Sequence, residues 1–283
     1  MKLSERVKSI GLEWAGVLCV FITLSFLFVL VVQTLVHGIG VIDFGFLSSF
    51  PSRFPERSGV LSALVGTAWL MSLTALVSVP LGVMTAVFIE EYLPQSLWTR
   101  LLRVNIFNLA GVPSILFGVL GLAVFVRYFG MGRSLLSGAL TISLMILPTI
   151  VVATCEAIRS VPDSLRHAGF GVGATRRQVV WGQVLPVALP GIITGVILAL
   201  SRAMGEAAPL IMVGALTFVA FLPTSPFDSF TTLAIQIFSW ASRPQVEFQA
   251  VAAGGIILLL LITLGMNGLA IYLRIRSAKM RSY

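Results

Sequence analysis

An arginine and a glutamate stand four positions apart in the stretch LSRAMGEAAPLI, residues 200–211, which otherwise carries no charge. Residues four apart on a helix share one face, so Arg202 and Glu206 are predicted to form a salt bridge. Arg202 lies twelve residues beyond Pro190, roughly 18 Å along an ideal helix. In a membrane-spanning helix that distance passes the middle of a hydrocarbon core about 30 Å thick.

Two interpretations of this pair stay open. It could be a buried ion pair that fixes helix packing. Alternatively, Arg202 offers positive charge to an anion crossing the membrane, while Glu206 holds the arginine and limits trapping. The same helix face continues back through Ala199, Gly195 and Gly191, small residues that favour close helix packing. The pair is therefore predicted to point into protein contacts or a pathway rather than into lipid.

Other chemistry is poorly represented in the sequence. His37 and His167 lie far apart, on opposite predicted sides of the membrane, so a metal site or a histidine-based catalytic triad built on both is not expected. A phosphate-binding P-loop needs Gly-Lys-Ser/Thr, and none of the three lysines (Lys2, Lys8 and Lys279) has that context. The chain is predicted to be neither an enzyme nor an ATPase, and to hold no cofactor.

The composition indicates a membrane protein. Hydrophobic residues make up 57% of the 283 residues and charged residues 11%, whereas soluble domains carry about 25% charged residues. A net charge of +8 would suggest nucleic acid in a soluble protein. Here the basic residues lie between apolar runs, so membrane topology and the anionic lipid surface explain them, and no nucleic-acid partner is expected.

Six charge-free runs are each long enough to cross a bilayer as a helix. They are residues 14–42, 58–89, 104–126, 134–155, 178–201 and 248–273. A seventh run, 207–227, is interrupted by Pro209, Gly214, Pro223 and Pro226, and we interpret it as the end of helix five followed by a surface-lying loop. External segments 37–58 and 217–247 carry aromatic residues that are typical of membrane-interface anchors.

The basic residues favour six helices with both termini cytoplasmic. Five lie on the external side: Arg53, Arg57, Arg127, Arg133 and Arg243. Thirteen lie on the other side: Lys2, Arg6, Lys8, Arg100, Arg103, Arg159, Arg166, Arg176, Arg177, Arg274, Arg276, Lys279 and Arg281. The chain is predicted to be one all-α domain, residues 1–283, with a cytoplasmic loop at residues 156–186.

That cytoplasmic loop carries two helix-start signals. Ser160 with Asp163 three residues later, and Pro162 between them, predict a capped short helix whose apolar face holds Val161, Leu165 and Ala168. Gly169, Gly171 and Gly173 are expected to end it. Thr175 with Gln178 predicts a second capping box. Such a helix on the cytoplasmic face could be a simple connector, or could present a surface to a soluble partner.

The loop resembles the EAA loop, EAA-x3-G-x9-I-x-LP, of permeases in ATP-driven (ABC-type) importers. The matching positions are His167, Ala168, Gly169, Gly173, Leu185 and Pro186. The family's first Glu is His167 here, its second Ala is Gly169 and its Ile is Gln183. These departures concern the side chains that would make the contact and leave the spacing intact.

Further stretches resemble the permease subunits of ABC-type phosphate importers: NLAGVPSILFGVLGLAVFV (108–126), LTISLMILPTIVVATCEAIRSVPDSLR (140–166), LPGIITGVILALSRAMGEAAPLI (189–211) and LAIQIFSWASRPQVEFQ (233–249). This resemblance implies a type I (MetI-like) permease fold in a bacterial cytoplasmic (inner) membrane. It also implies a second related permease subunit, two cytoplasmic ATPase subunits that bind the ATP, and an external phosphate-binding protein.

The resulting hypothesis is a permease subunit that moves phosphate, with Arg202 and Glu206 on the anion pathway. The ATPase would dock on the segment containing Ser160, Val161, Pro162, Asp163, Leu165, Arg166, His167, Ala168, Gly169, Gly173 and Thr175. Three alternatives stay open: a permease for another oxyanion, a secondary transporter with Glu206 as proton carrier, and a membrane scaffold for a phosphate-sensing complex. The second lacks the internal inverted repeats that such transporters show.

Overall fold

The computed structural model describes residues 2–94 and 96–279, and the side chains of residues 13–94 and 96–276. Arg281 lies outside these ranges, as do the side chains of Lys2, Arg6, Lys8 and Lys279. Throughout the described residues the chain is helical, without strands. The helices are α1 (Lys2–Gly38), α2 (Phe44–Ser48), α3 (Leu61–Val87), α4 (Leu97–Leu109), α5 (Ser114–Gly121), α6 (Leu135–Arg159), α7 (Asp163–Gly171), α8 (Arg176–Val179), α9 (Leu185–Met204), α10 (Ala208–Val213), α11 (Leu233–Ala241) and α12 (Glu247–Lys279).

Wider π-helical turns extend three of these elements. They occupy Phe88–Tyr92 after α3, Leu122–Tyr128 after α5 and Val180–Val184 between α8 and α9. Short 3₁₀ turns lie at Ile39–Val41 and Pro55–Arg57. In the part of the chain that the structure describes, five continuous segments are long and apolar enough to span a membrane: Glu13–Val41, Leu61–Tyr92, Leu135–Arg159, Arg176–Met204 and Glu247–Arg276.

The predicted span 104–126 is not one straight helix. It is split into Leu97–Leu109 and Ser114–Tyr128, which meet at an angle of 96°. Pro113 sits at the N-terminus of α5 with φ −55° and ψ 132°, and a proline has no N–H to continue the preceding helix. The resulting elbow, residues 110–113, separates two half-spans, and counting them as one span gives the six that the sequence predicts.

Helix α6 forms the centre of the bundle. It is the most buried of the five continuous spans, packing along α3 on one side and α9 on another. Leu70 of α3 and Ile142, Ile146 and Ile150 of α6 belong to one buried apolar cluster. The buried hydroxyl of Ser143 donates to the carbonyl of Ala139 one turn earlier, so it is satisfied without water.

The predicted small-residue face of α9 packs against α6. A Cβ on Gly191 would lie 2.9 Å from the Cβ of Ala157, and one on Gly195 would lie 2.5 Å from the Cβ of Ala153. These pairs fix an antiparallel register, because each step of four residues along α9 matches four residues back along α6. The same register carries Arg202 to the middle of α6.

The segment after α9 is more buried than the sequence predicted. Instead of lying on the surface, α10 packs against α5, with Pro209 against Gly118. The following irregular chain buries Val219 and Phe230. The N–H groups of Thr224 and Ser225 donate to the carboxylate of Asp228 and lower its pKa. The prediction of a loop lying on the membrane is therefore wrong for these buried positions.

The aromatic residues of the external segments divide into two groups. Phe46 of α2 and Trp240 of α11 are buried, with ring centroids 6.0 Å apart. Phe44, Phe54 and Phe227 are exposed, as expected for anchors at the membrane interface. Helix α11 packs against α12, and the Phe46–Trp240 contact joins α2 to α11.

We expect Gly195→Leu to destabilise the protein, because its side chain must displace Ala153 from the α6–α9 contact. Overpacking of this kind costs about 1–3 kcal/mol, which would appear as a lower thermal aggregation midpoint of the detergent-solubilised subunit. Gly265→Leu on α12, where nothing lies within 4 Å of the added Cβ, is the matched control. Equal stability of the two variants would contradict the packing described here.

Candidate functional site

A cavity of about 380 Å³ opens where the α4–α5 elbow meets α6 and α9. Its wall includes Ala110 and Pro113 of the elbow, Thr149 of α6, and Arg202 and Glu206 at the end of α9. The α6 residues that line it lie near the middle of that helix, which spans Leu135–Arg159. The structure thus brings Arg202 and Glu206 to one cavity beside the middle of α6, and their role on an anion pathway stays a prediction.

The predicted salt bridge between Arg202 and Glu206 is wrong for this conformation. Within the described residues no ion pair joins them. The reason is that α9 ends at Met204 with Gly205 as its cap, so Glu206 has left the helix and no longer follows Arg202 by one turn. Arg202 is exposed and Glu206 partly buried in the isolated chain.

The rest of the cavity wall adds weaker attractions for an anion. The side chains of Ser114 and Thr149 line it, and hydroxyl groups donate hydrogen bonds. Helix α5 begins at Ser114 with no side chain capping its N-terminus. A helix N-terminus carries partial positive charge. Arg202, two hydroxyl groups and this helix end suit transient binding of an anion, while the carboxylate of Glu206 opposes tight retention.

The cytoplasmic loop forms the predicted short helix, but its start differs. Helix α7 begins at Asp163 with Pro162 as N-cap and no side-chain cap. Ser160 instead caps the end of α6, where its hydroxyl donates to the carbonyl of Ala157. The predicted Ser160–Asp163 capping box is therefore wrong, because α6 runs on to Arg159 and uses Ser160 for its own terminus.

The inner face of α7 holds the loop against the bundle. Val161 is buried and Leu165 packs against the same apolar cluster. Gly169, expected to end the helix, lies inside it, where a Cβ would come 2.8 Å from both Gln183 and Val179. Ala168, predicted on the apolar face, is exposed. The turn at Gly173, with φ +80°, follows the end of the helix as predicted.

The second capping box is confirmed. The hydroxyl of Thr175 accepts from the backbone N–H of Gln178, and the Gln178 side chain accepts from the N–H of Thr175. This start leads through α8 and the following π-helical turn into α9. The chain that contacts α7 is thus continuous with the helix that carries Arg202.

The outward surface of the loop contains both predicted and unpredicted residues. Pro162, Asp163, His167 and Ala168 are exposed. So are the large apolar side chains of Phe170 (47%) and Val172 (83%), which sequence reasoning missed. The sequence did indicate them, because two large apolar residues among glycines in a cytoplasmic loop have no apolar neighbours to bury them.

A cluster of charges at the cytoplasmic end of the bundle was also missed. Arg166 of α7 contacts Glu91 at 2.8 Å, and Glu90 contacts both Arg103 (3.1 Å) and Arg159 (2.8 Å). Burial opposes the charge of Arg166, but its hydrogen bond and attraction to Glu91 prevail and raise its pKa. The signal in the sequence was the adjacent acidic pair that directly follows the charge-free run 58–89.

Comparison with known families identifies the class of protein. Residues 78–274 match the family described as "Binding-protein-dependent transport system inner membrane component", and the chain belongs to it. It is therefore a multi-pass component of the inner membrane and the permease subunit of an ABC importer. This membership excludes the ion-gradient-driven alternative raised by the sequence.

Three relatives show which ABC permeases the chain is similar to. The chain is 34% identical over 262 residues to "Probable ABC transporter permease protein YqgI" of Bacillus subtilis (strain 168), covering 88% of this chain and 89% of that one. It is 32% identical over 219 residues to "Phosphate transport system permease protein PstA" of Mycobacterium leprae (strain TN), covering 75% and 70%. With PstA 1 of Mycobacterium tuberculosis (strain ATCC 25618 / H37Rv) it shares 39% identity over 166 residues, 56% and 53% of the two chains.

Solved structures support the fold. A chain of a bacterial alginate ABC transporter, in complex with an alginate-bound periplasmic protein, matches with TM-score 0.69 and 16% identity, covering 99% of both chains. A chain of the MetNI methionine ABC transporter matches with TM-score 0.54 and 19% identity, covering 76% and 94%. The architecture is thus that of type I ABC importer permeases, as predicted.

Water-soluble thiol reagents should reach the cavity. In a chain with Cys19→Ser, which leaves only the buried Cys155, we expect Ser114→Cys to be modified roughly tenfold faster or more than Ser143→Cys, because thiol reactivity follows exposure. Ser143 is 3% exposed and lies on α6. Labelling of membrane vesicles with a charged methanethiosulfonate, followed by mass spectrometry, measures both rates. Similar rates would show that the elbow faces no water-filled space.

Proposed function

We propose that this chain is the permease subunit of an ATP-driven importer of inorganic phosphate. Its partners are a second, related permease subunit, two cytoplasmic ATPase subunits that bind and hydrolyse ATP, and an external phosphate-binding protein. The observation that carries the proposal is an arginine, Arg202, in a cavity beside the middle of α6, in a chain whose relatives include phosphate permeases. The chain itself holds no cofactor and catalyses no reaction.

In this proposal Arg202 attracts the anion as it crosses the membrane. An arginine fork hydrogen-bonds two oxygens of a phosphate at once, and the low dielectric around the cavity strengthens that attraction. Glu206 lies on the same wall without pairing with the arginine. Its negative charge repels the bound anion and prevents permanent retention, which an importer must avoid.

Alternating access requires that the ATPase contact one permease conformation more favourably than the other. We place the ATPase contact on the outward surface of α7, with His167 and Ala168 at the positions of the family's EAA motif and Phe170 and Val172 beside them. The inner face of α7 packs on the permease itself. Closure of the ATPase dimer would then move α7 together with the bundle end to which it is fixed.

Arg202→Ala and Arg202→Lys should assemble normally but lose phosphate uptake by about tenfold or more, since a hydrogen bond to a charged group contributes roughly 1.5–3 kcal/mol. Lysine keeps the charge but not the fork geometry. Uptake of radiolabelled phosphate into proteoliposomes containing the complete transporter measures the effect. Arg127→Ala, on the external side, is the control and should transport normally.

If Arg202→Ala transported phosphate at the parental rate, Arg202 would have no part in the anion pathway.

The identity of the substrate is tested by competition on the parental transporter. We expect unlabelled phosphate to suppress uptake at lower concentration than sulfate or molybdate. If another oxyanion competes better, the chain belongs to an importer of that anion instead.

Docking of the ATPase is tested on the exposed apolar residues of the loop. Phe170→Asp should weaken association with the ATPase by about thirtyfold or more, as expected for a central interface residue worth roughly 2 kcal/mol. Co-purification in detergent over a range of ATPase concentrations measures this. Trp98→Asp makes a similar change at an exposed position on α4 and should leave association unchanged. The assignment fails if the two variants bind the ATPase equally well.

A further inference from the structure

We propose that the adjacent residues Glu90 and Glu91 are positioning residues that connect the coupling helix α7 to the elbow at the anion cavity. The inference rests on the proposed docking of the ATPase on α7 and adds the route by which its motion reaches the membrane. The route runs from Arg166 to Glu91, across one peptide unit to Glu90, and on to Arg103 and Arg159. Each link is an ion pair between helices that the sequence alone does not bring together.

The first link fixes α7 to the end of α3. Nε and Nη2 of Arg166 donate to Oε1 of Glu91 over 3.2 Å and 2.8 Å. Nη1 donates to the carbonyl of Val161 and Nη2 also to that of Ile158. The Glu91 side chain is 9% exposed and that of Arg166 is 18% exposed. A largely buried guanidinium with this many acceptors has little freedom to change partners, so α7 cannot shift without moving the end of α3.

The second link joins α3 to α4 and α6. Glu90 receives a two-pronged contact from Arg159, with Nη2 to Oε1 at 2.8 Å and Nε to Oε2 at 3.2 Å. Nη2 of Arg103 donates to Oε2 of Glu90 over 3.1 Å. The Glu90 side chain is 8% exposed. One carboxylate therefore holds the end of α6 and the middle of α4.

The local backbone explains how neighbouring carboxylates serve different partners. Both lie in the π-helical turn Phe88–Tyr92, and successive residues of a helix point in different directions around its axis. Glu91 turns towards α7, and Glu90 turns towards α4 and α6. A single turn of chain thus carries both contacts, with only one peptide unit between them.

Helix α4 completes the route to the cavity. Arg103 lies six residues before Leu109, roughly 9 Å along the helix axis, and the elbow that follows includes Ala110 and Pro113 of the cavity wall. A helix is stiff over this distance, so a displacement at Arg103 is delivered to the elbow. Contiguous ion pairs and rigid helices are the physical elements that carry coupling between distant sites.

The experiment follows the elbow directly and does not depend on the transported substrate. The complete transporter carries Cys19→Ser and Ser114→Cys, and labelling of Ser114→Cys is compared with and without ATP plus orthovanadate, which holds the ATPase closed. We expect vanadate to change the labelling rate at least about threefold in this parental form. Glu90→Gln and Arg103→Gln should abolish the change while vanadate trapping persists, because coupling through such networks is commonly worth that much or more.

Glu156→Gln is the matched control, because Glu156 is 61% exposed and, among the residues the structure describes, forms an ion pair only with Arg159 of its own helix. It should keep the vanadate-dependent change. The proposal is overturned if both Glu90→Gln and Arg103→Gln keep the change, or if the parental elbow does not respond to vanadate. It is also overturned if neither variant assembles or traps nucleotide, since the residues then serve only stability.

Phosphate uptake, measured with the same variants in transporters that keep Ser114 because Ser114 lines the anion cavity, separates this inference from the proposed function. A parental transporter that shows the vanadate-dependent change but takes up no phosphate contradicts the substrate and leaves the route intact. Uptake at the parental rate in Glu90→Gln and Arg103→Gln, with the labelling change retained, contradicts the route and leaves the substrate intact. Loss of the labelling change together with at least about threefold less phosphate moved per ATP hydrolysed supports both.

Discussion

The cost of placing charge and unpaired backbone groups in hydrocarbon governs the whole structure. Within the membrane every peptide group must find a partner inside the protein, and an ionised side chain is tolerated only where it is paired or lines a cavity. The described chain obeys both conditions. Its five continuous spans are helical, Arg202 and Glu206 line the cavity, and the other charged residues of those spans lie near their ends.

Glycine and proline residues relieve this constraint at particular points. The elbow before α5 and the break after α9 interrupt helices next to a cavity, where exposed peptide groups can be solvated. Elsewhere glycine has the opposite use: Gly191 and Gly195 bring α9 close enough to α6 to exclude lipid. Glycine therefore has two uses here. Beside the cavity it occurs where helices are interrupted, and on α9 it allows close packing against α6.

The sequence predicted most of the fold, because hydrophobic run length and the distribution of basic residues follow directly from the membrane. Arg202 lies beside the middle of α6, and its predicted depth in the membrane, which follows from the nearly constant helix rise, stays a prediction. The Arg202–Glu206 pair was wrong because a spacing of four has meaning only within an unbroken helix, and the helix ends at Met204. Proline nearby signalled a break without fixing its position.

Other errors came from tertiary contacts that one sequence does not display. Ser160 was equally suited to start α7 or to end α6, and only the packing of α6 decided between them. The partners of Glu90 and Glu91 lie between 13 and 75 positions away along the chain. Local periodicity carries no information at that range. Residues that act through distant pairs were therefore missed, while the Thr175–Gln178 capping box, which is defined by local spacing, was found.

The contact between α5 and α10 has a mechanical consequence. Both short helices follow a break, at residues 110–113 and at residues 205–207, and both breaks border the same cavity. A Cβ on Gly118 would lie 2.7 Å from the Cα of Pro209, so the two short helices pack closely against each other. A tilt of this packed pair about the breaks at residues 110–113 and 205–207 would change the width of the space in front of Arg202.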